Sequence, residues 1–390
     1  MKLRQGPHLV CSIPVRPGAD WAETFDAVQR TALPLRKQVC PDAPFGLNLP
    51  LSATAARDLI DPTTLKAFQS WLDKAGCYVC SLEGWSCRPP QAETAGRPAP
   101  AQPDWTSTEA LHYAKLLLDL LAALLPEDVA GSVQIGPTAL KPLVQTNADA
   151  QAIQAHLWTC IEHVDQLRTR THKTLRLSVG AQPGAYLATS SDVTLFFQKL
   201  QADRRDDERL ETCLGVTYDA CHSAAQFEDP AEALRHFQSF GIALTQIRLG
   251  AALALIATGP ALQALKACLG ESAPFGVVAR SPEGHLQYYP NLSAALTQAS
   301  PSESGPPPQW RLHFHWPLSS QPAAPLQSTA GHTSYLLGGV RSEPGLAAQI
   351  HLTAGDWDRL PRSIKGPSLT AHLLAEYKWT LAQVGGCTSG

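Results

Sequence analysis

Methionine occurs once in the 390 residues, at Met1, and charged residues make up only 17%, against about a quarter in an ordinary soluble domain. Neither sign of charge is in excess: 31 Lys and Arg face 34 Asp and Glu, for a net charge of −3. A chain that grips nucleic acid through its phosphates carries a basic excess or stripe, so the balance argues against that class. Disorder is also disfavoured, because it needs few apolar residues and a high net charge, and 44% of this chain is apolar. Long hydrophobic runs are missing. The longest uncharged apolar stretch lies between Arg248 and Lys266 and is broken by Gly259-Pro260, too short to span a bilayer comfortably. From Met1 to His8 there is no apolar segment of signal-peptide length. The ten cysteines therefore read as free thiols in a reducing cytoplasm, not as a disulfide framework. No G-x-G-x-x-G, Walker A or G-x-S-x-G string occurs, which leaves nucleotide-dependent and serine-hydrolase readings without local support.

What is present is an alternation of short apolar runs and helical patterns. Leu9 to Val15 reads as a strand; Asp20 to Ala32 is helical, with Trp21, Phe25 and Val28 at i, i+4 and i+7. Phe45 to Leu51 and Cys77 to Leu82 are the next strands. Between them lies a helix from Asp61 to Ala75, with Pro62 in its first turn and Gly76 past its end. The pattern continues through strands at Ser132 to Ile135, Leu175 to Val179, Leu214 to Tyr218 and Ile242 to Leu249, with helices between them. Phe275 to Arg280 and Leu286 to Tyr289 flank a hairpin signal, and Trp310 to Trp316 and Ala348 to Thr353 are two further strands. Repeated βα units imply a parallel sheet with helices outside, and eight of them close a (β/α)8 TIM barrel. The expectation is an α/β chain forming one barrel domain over 1–390, with a proline-rich insertion at 87–104 and a hairpin-and-linker insertion at 267–309.

In such a barrel, reactive groups sit at the C-terminal strand ends and in the loops that follow. Strand six ends in Tyr218-Asp219-Ala220-Cys221-His222, where a carboxylate and an imidazole three apart suit Mn, Mg or Zn. The plainer alternative is that Asp219 caps the next turn and His222 is packed or solvated. His313-Phe314-His315 is the second signal, since strand alternation puts both imidazoles on one face; a metal-binding or proton-moving pair and a merely hydrogen-bonded pair are both open. Glu83 follows strand three, at a catalytic position or as a loop cap. Lys141, after strand four, could meet an anion, and Trp357 could stack on a sugar ring at the rim or simply pack. Cys77 and Cys80 form a C-x-x-C string, but on a strand they face opposite sides. Cys221 beside His222 is a weak nucleophile candidate, because adjacent strand residues point apart.

The runs Pro17-Gly18-Ala19-Asp20-Trp21, Ala43-Pro44-Phe45-Gly46-Leu47, Pro103-Asp104-Trp105-Thr106, Tyr218-Asp219-Ala220-Cys221-His222, Phe227-Glu228-Asp229-Pro230, Arg311-Leu312-His313-Phe314-His315 and Trp357-Asp358 resemble, in order over nearly the whole chain, the EboE family. These are metabolite traffic proteins with a xylose-isomerase-like TIM barrel. The resemblance implies a part in making or exporting a secondary metabolite built on a cyclitol or sugar. Broader relatives hold a divalent metal with two glutamates, an aspartate and histidines, and in that pattern Asp219 and His222 match the sixth strand, and His313 and His315 the His-x-His segment. Both glutamates are replaced here: Ser178-Val179-Gly180 stands at the end of strand five and Thr353-Ala354-Gly355 at the end of the last strand. Arg248 stands where a Gln is usual, Glu83 where an Asn is, and Arg16 where a His is.

Two lost carboxylates leave too few oxygen ligands for tight Mg or Mn binding. The remaining expectations are zinc on Asp219, His222 and His315, with His313 alongside, or no metal at all. Arg16 and Arg248 in the mouth point to an anionic ligand such as a phosphorylated metabolite. The leading expectation is thus a cytoplasmic EboE-like protein that binds a small polar or phosphorylated metabolite at a reduced metal site. An active metal-dependent sugar or cyclitol phosphate isomerase or epimerase, with Asp219, His222 and Glu83 catalytic, and a non-catalytic carrier or scaffold for pathway proteins are the alternatives.

Overall fold

The computed structural model describes residues 1–4, 6–85, 104–136, 138–298 and 305–385. Thirteen strands are described: β1 His8–Ser12, β2 Phe45–Leu51, β3 Cys77–Trp85, β4 Gly131–Gly136, β5 Leu175–Val179, β6 Leu214–Asp219, β7 Leu244–Arg248, β8 Ala251–Ile256, β9 Val277–Arg280, β10 Leu286–Tyr289, β11 Gln309–Trp316, β12 Gln327–Ser328 and β13 Gln349–Leu352. The first seven and the last close a barrel in the order β1-β13-β7-β6-β5-β4-β3-β2. Every neighbouring pair is parallel, and Leu9 opposite Ile350 sits at the seam where first and last strands meet. The chain therefore folds as a (β/α)8 TIM barrel.

Local chemistry places the helices. Asp20 and Glu23 form a reciprocal capping box at the start of Trp21–Val39, and Thr146 with Asp149 does the same for Asn147–Thr171, satisfying N–H groups that a helix start leaves without partners. Pro62 opens the helix Pro62–Ala75, and Gly76 ends it at φ 61°, a left-handed conformation that glycine adopts without a Cβ penalty. β2 is buried along its whole length and β1 over all but His8, as expected when the barrel interior covers one face and helices the other. Low charge in the sequence is the compositional counterpart of this double burial.

The surprise lies between β7 and β13. Two residues, Leu249-Gly250, separate β7 from β8, and the chain then leaves the barrel to build an antiparallel sheet in the order β10-β9-β11-β8-β12. This sheet spans more than the 267–309 stretch expected to be inserted, because β8 was not legible as a strand. Its sequence, Ala-Ala-Leu-Ala-Leu-Ile, is short, has little β-branching and shows no polar alternation. The 310–316 strand belongs to this sheet and not to the barrel. The proline-rich 87–104 stretch falls, apart from Asp104, outside the described residues, as do 300–304 of the turn-rich segment before β11.

The second sheet has its own core of Leu253, Leu255, Val277, Trp310, Leu312, Phe314 and Trp316, with the Phe275 and Phe314 rings 4.6 Å apart. β11 alternates cleanly: Leu312, Phe314 and Trp316 are buried on one face, while Arg311, His313 and His315 are half-buried on the other. Two contacts dock that polar face and its flank on the barrel. Arg311 Nη1 donates to the Ala224 carbonyl at 2.6 Å, and the Glu376 carboxylate of the last helix accepts from the Leu318 and Ser319 N–H groups just past β11. Among the described residues, no helix is long and apolar enough to cross a membrane.

Leu312 is fully buried in this second core. Leu312→Ala is expected to lower unfolding free energy by about 2–5 kcal/mol, read as a fall in the urea midpoint; an unchanged midpoint would show that the second sheet is not packed as described.

Candidate functional site at the barrel mouth

A cavity of about 1210 Å3 opens at the C-terminal end of the barrel. Barrel residues Ser12, Arg16, Glu83 and Arg248 line one side, and His313 and His315 of β11 with Trp357 line another. The second sheet is thus a wall of the mouth, which puts the His-x-His pair next to the barrel's own strand ends.

Arg248, the last residue of β7, dominates the barrel side. Its Nη2 lies 2.9 Å from Glu83 Oε2 of β3 and donates to Gln134 Oε1 of β4 at 3.1 Å. The side chain therefore bridges the lumen, and only 17% of it is exposed. Burial works against its charge, but Glu83 and Asp219 more than offset that and raise its pKa above the ordinary arginine value. Asn48 Nδ2 donates to both Ser12 Oγ and Glu83 Oε2, which fixes the carboxylate from the other side. Below this layer the lumen is filled by neutral hydrogen-bonding groups. Gln246 Nε2 donates to Ser132 Oγ at 2.7 Å, and Ser178 Oγ lies within hydrogen-bonding distance of Thr217 Oγ1 and Thr245 Oγ1.

Asp219 is paired in register with Arg248 on the neighbouring strand. Its Oδ1 accepts the His222 backbone N–H at 2.9 Å, so it caps the helix Ala220–Ala225. Burial alone would raise its carboxyl, but His315, Arg248, His313 and the His222 N–H hold it down at about 2. Because β6 stops at Asp219, Cys221 and His222 lie on the first helical turn, about 100° apart around the axis. The expectation that they point in opposite directions, drawn from strand alternation, fails for that reason. His222 Nε2 is 2.8 Å from the Ala188 carbonyl and so carries the proton, leaving a buried Nδ1 with no partner.

Cys221 Sγ and one ring nitrogen each of His313 and His315 lie within 4.8 Å of one another. His313 and His315 stand with their rings 5.3 Å apart, and His222 is edge-on to His313 at 5.5 Å. Burial and the neighbouring His315, His222 and Arg248 push His313 down to about 3, so its imidazole is neutral at ordinary pH. Burial and the carboxylates of Asp219 and Asp356 push the Cys221 thiol well up.

The other predicted positions are placed as follows. Arg16 lines the cavity but is largely exposed, and its guanidinium forms a salt bridge to Glu23 at 2.8 Å. Arg16 and Arg248 are therefore each paired with a carboxylate, and Arg359 also lines the cavity, 3.9 Å from Asp356. Lys141 sits exposed on a 3-10 turn; its neighbours Leu140 and Pro142 line the cavity and it does not. Trp357 Nε1 donates to the Lys365 carbonyl, and Lys365 Nζ lies 4.3 Å above its ring. Cys77 and Cys80 are buried free thiols pushed up to about 11 and about 12 by burial, which leaves no redox pair in that C-x-x-C string. Cys221 as a potential metal donor and His351 in the lumen are the groups that sequence reasoning missed. The usable signal for Cys221 was the Asp219 cap, which announces a helix and so changes the facing of the next residues.

The broader relatives of the family that the sequence resembles hold a divalent-metal centre, of which a magnesium- or manganese-type ion is the test case. The residues here do not fit one. Such an ion needs about six oxygen ligands, yet Glu83 is committed to Arg248, β5 runs into Ser178-Val179-Gly180, and Thr353-Ala354-Gly355 follow β13. Asp219 remains as a solitary carboxylate among them.

These features define an α/β protein of the (β/α)8 class with an appended antiparallel sheet. No family model matches the chain, and no curated protein matches it. Among solved structures it is similar to a xylose isomerase-like TIM barrel protein from Mycobacterium smegmatis in complex with magnesium, at 11% identity over 99% of each chain and a TM-score of 0.50. It is also similar to the IOLI protein with a bound zinc atom, at 9% identity over 98% of this chain and 100% of that one, with a TM-score of 0.48. At such identities the likeness is one of fold.

Removing Arg248 strands Glu83. Arg248→Met is expected to cost about 3 kcal/mol, the low end for breaking a buried pair. Adding Glu83→Leu should recover part of it in a double-mutant cycle; simple additivity of the two losses would mean that the pair is not coupled. A second prediction concerns pH. His351 is buried against Gln349 Oε1 at 2.7 Å, and burial, with Arg248 beside it, lowers its pKa from 6.5 to about 3. The unfolded chain takes up this proton first, so stability is full above about pH 6.5 and is lost as pH falls toward 3. His351→Gln should flatten that part of the stability profile; an unchanged slope in urea titrations at several pH values would contradict it.

Proposed function

We propose that the chain binds a small, polar, predominantly uncharged metabolite in the barrel mouth, as an EboE-like traffic protein for a cyclitol- or sugar-derived product. Its mouth lacks the two-glutamate metal centre of the isomerases, and the bound compound leaves chemically unchanged. The observation that carries this reading is the Arg248–Glu83 bridge. A guanidinium held between Glu83 and Gln134 is a preorganised donor set whose positive charge is already matched by carboxylates, Glu83 in contact and Asp219 on the next strand. Its Nε is buried without a partner, as is Asn48 Oδ1. Hydroxyl groups both donate and accept, so a polyol can satisfy donors and acceptors of this kind. Trp357 at the rim offers an apolar face for a sugar ring.

Matched carboxylates also set the expected selectivity. With Arg16 on Glu23 and Arg248 on Glu83, a phosphate on the ligand gains little. Isothermal titration with myo-inositol, glucose and inositol 1-phosphate is expected to give saturable binding of a neutral polyol that a phosphate does not strengthen. Arg248→Met should weaken that binding about tenfold or more, equivalent to about 1.4 kcal/mol. No saturable binding by any probe, binding of the phosphorylated probe alone, or recovery of an epimerised compound would overturn the reading.

A further inference from the structure

We propose that Cys221, His313 and His315 form a zinc-class metal site at the seam between the barrel and the second sheet. The proposal rests on donor geometry and stands apart from the metabolite reading above. One thiol and two imidazoles are soft donors that suit a zinc ion and disfavour magnesium. They come from two separate parts of the fold. Cys221 lies on the helix that Asp219 caps, and the histidines share one face of β11. The Arg311 bond to the Ala224 carbonyl of that helix holds the two parts together.

Independent observations point to a missing partner there. His313 Nε2 and His315 Nδ1 are buried and make no hydrogen bond, although buried polar groups are almost always satisfied. His222, about 1% exposed, adds a third orphan in Nδ1 next to His313. Gly250 completes the space. A Cβ at that position would come within 2.8 Å of His315 Nδ1 and 3.0 Å of Cys221 Cβ, so any side chain there would crowd two of the three donors. The donor atoms, all within 4.8 Å of one another, must close to the spacing of about 3.3–3.6 Å that tetrahedral zinc imposes with Zn–N near 2.0–2.1 Å and Zn–S near 2.3 Å.

The surrounding charge favours a cation as well. Arg248 and Glu83 cancel, and Asp219 and Asp356, whose carboxylate accepts the His315 N–H at 2.8 Å, are left beside the cluster. When zinc binds, the Cys221 thiol gives its proton to solvent and the thiolate takes the metal. The resulting zinc–thiolate unit carries one positive charge, which Asp219 and Asp356 face. Three protein donors would leave a fourth coordination position for water or a ligand oxygen, and His313 and His315 both line the cavity.

The test uses the full chain stripped with chelator and reloaded. Elemental analysis after zinc loading and desalting is expected to give about one zinc per chain, as for a single four-coordinate site. Loading with cobalt(II) should give a thiolate-to-cobalt charge-transfer band and tetrahedral visible bands. Cys221→Ala should abolish the charge-transfer band and lower zinc content to roughly a tenth or less, while Asp219→Asn should keep both. If Cys221→Ala does not fold, the wild-type cobalt spectrum decides alone. No retained zinc and no thiolate–cobalt band in the wild type, or undiminished binding in folded Cys221→Ala, would overturn the site. Because the readouts are metal content and spectrum, they can fail while polyol binding stands, and the reverse.

Discussion

A single guanidinium held across the barrel lumen organises this molecule's mouth. Arg248 reaches from β7 to Glu83 on β3 and Gln134 on β4, and in doing so it engages the Glu83 carboxylate. A buried charge persists only when it is paired and hydrogen-bonded. Once Arg248 stands there, Glu83 and its Asn48 support follow as requirements. At Asp219, His315 and then Arg248 outweigh burial and hold the carboxyl down, and at His351 burial lowers the pKa with Arg248 adding to it. Below, serines, threonines and glutamines fill the barrel with neutral hydrogen bonds, so the charged groups of the lumen are confined to the layer of Arg248, Glu83 and Asp219.

The second constraint is architectural. Two residues after Arg248 the chain leaves the barrel, forms a five-stranded antiparallel sheet, and returns to complete the barrel with β13. That excursion has its own apolar core, and its strictly alternating β11 turns one face inward to that core and the other to the barrel mouth. His313 and His315 are therefore not barrel residues, yet they reach the mouth as closely as strand-end residues do. A small backbone at Gly250 and the arginine clasp from Arg311 to the Ala224 carbonyl let the two units approach. The cavity is shaped by this docking as much as by the barrel itself.

Much of the fold was legible in the sequence, because buried parallel strands are short continuous apolar runs and their helices carry explicit start and stop residues such as Asp20 with Glu23, Pro62 and Gly76. The facing of His313 and His315 was legible for the same reason: period-two alternation is a strong local rule. β8 was not, since a run of alanines and leucines fits a helix, a strand or a span equally well. Site chemistry was less accessible. The arginine pairings join residues far apart in sequence, such as Glu83 and Arg248, and nothing local reports that a mouth charge is already neutralised. Cys221 was misjudged by extending strand alternation one residue too far; Asp219 is a cap, and the turn that follows is helical.

The mouth thus holds a fixed ion pair on the barrel side and a cluster of soft donors at the seam, Cys221 from the barrel and His313 and His315 from the second sheet. The measurement that probes this division most directly is an anomalous difference map at the zinc edge from crystals of the zinc-loaded chain. The account predicts one peak bounded by Cys221, His313 and His315, with Arg248 still on Glu83. A peak held by Glu83 and Asp219, with the Arg248 side chain turned out of the lumen, would contradict it.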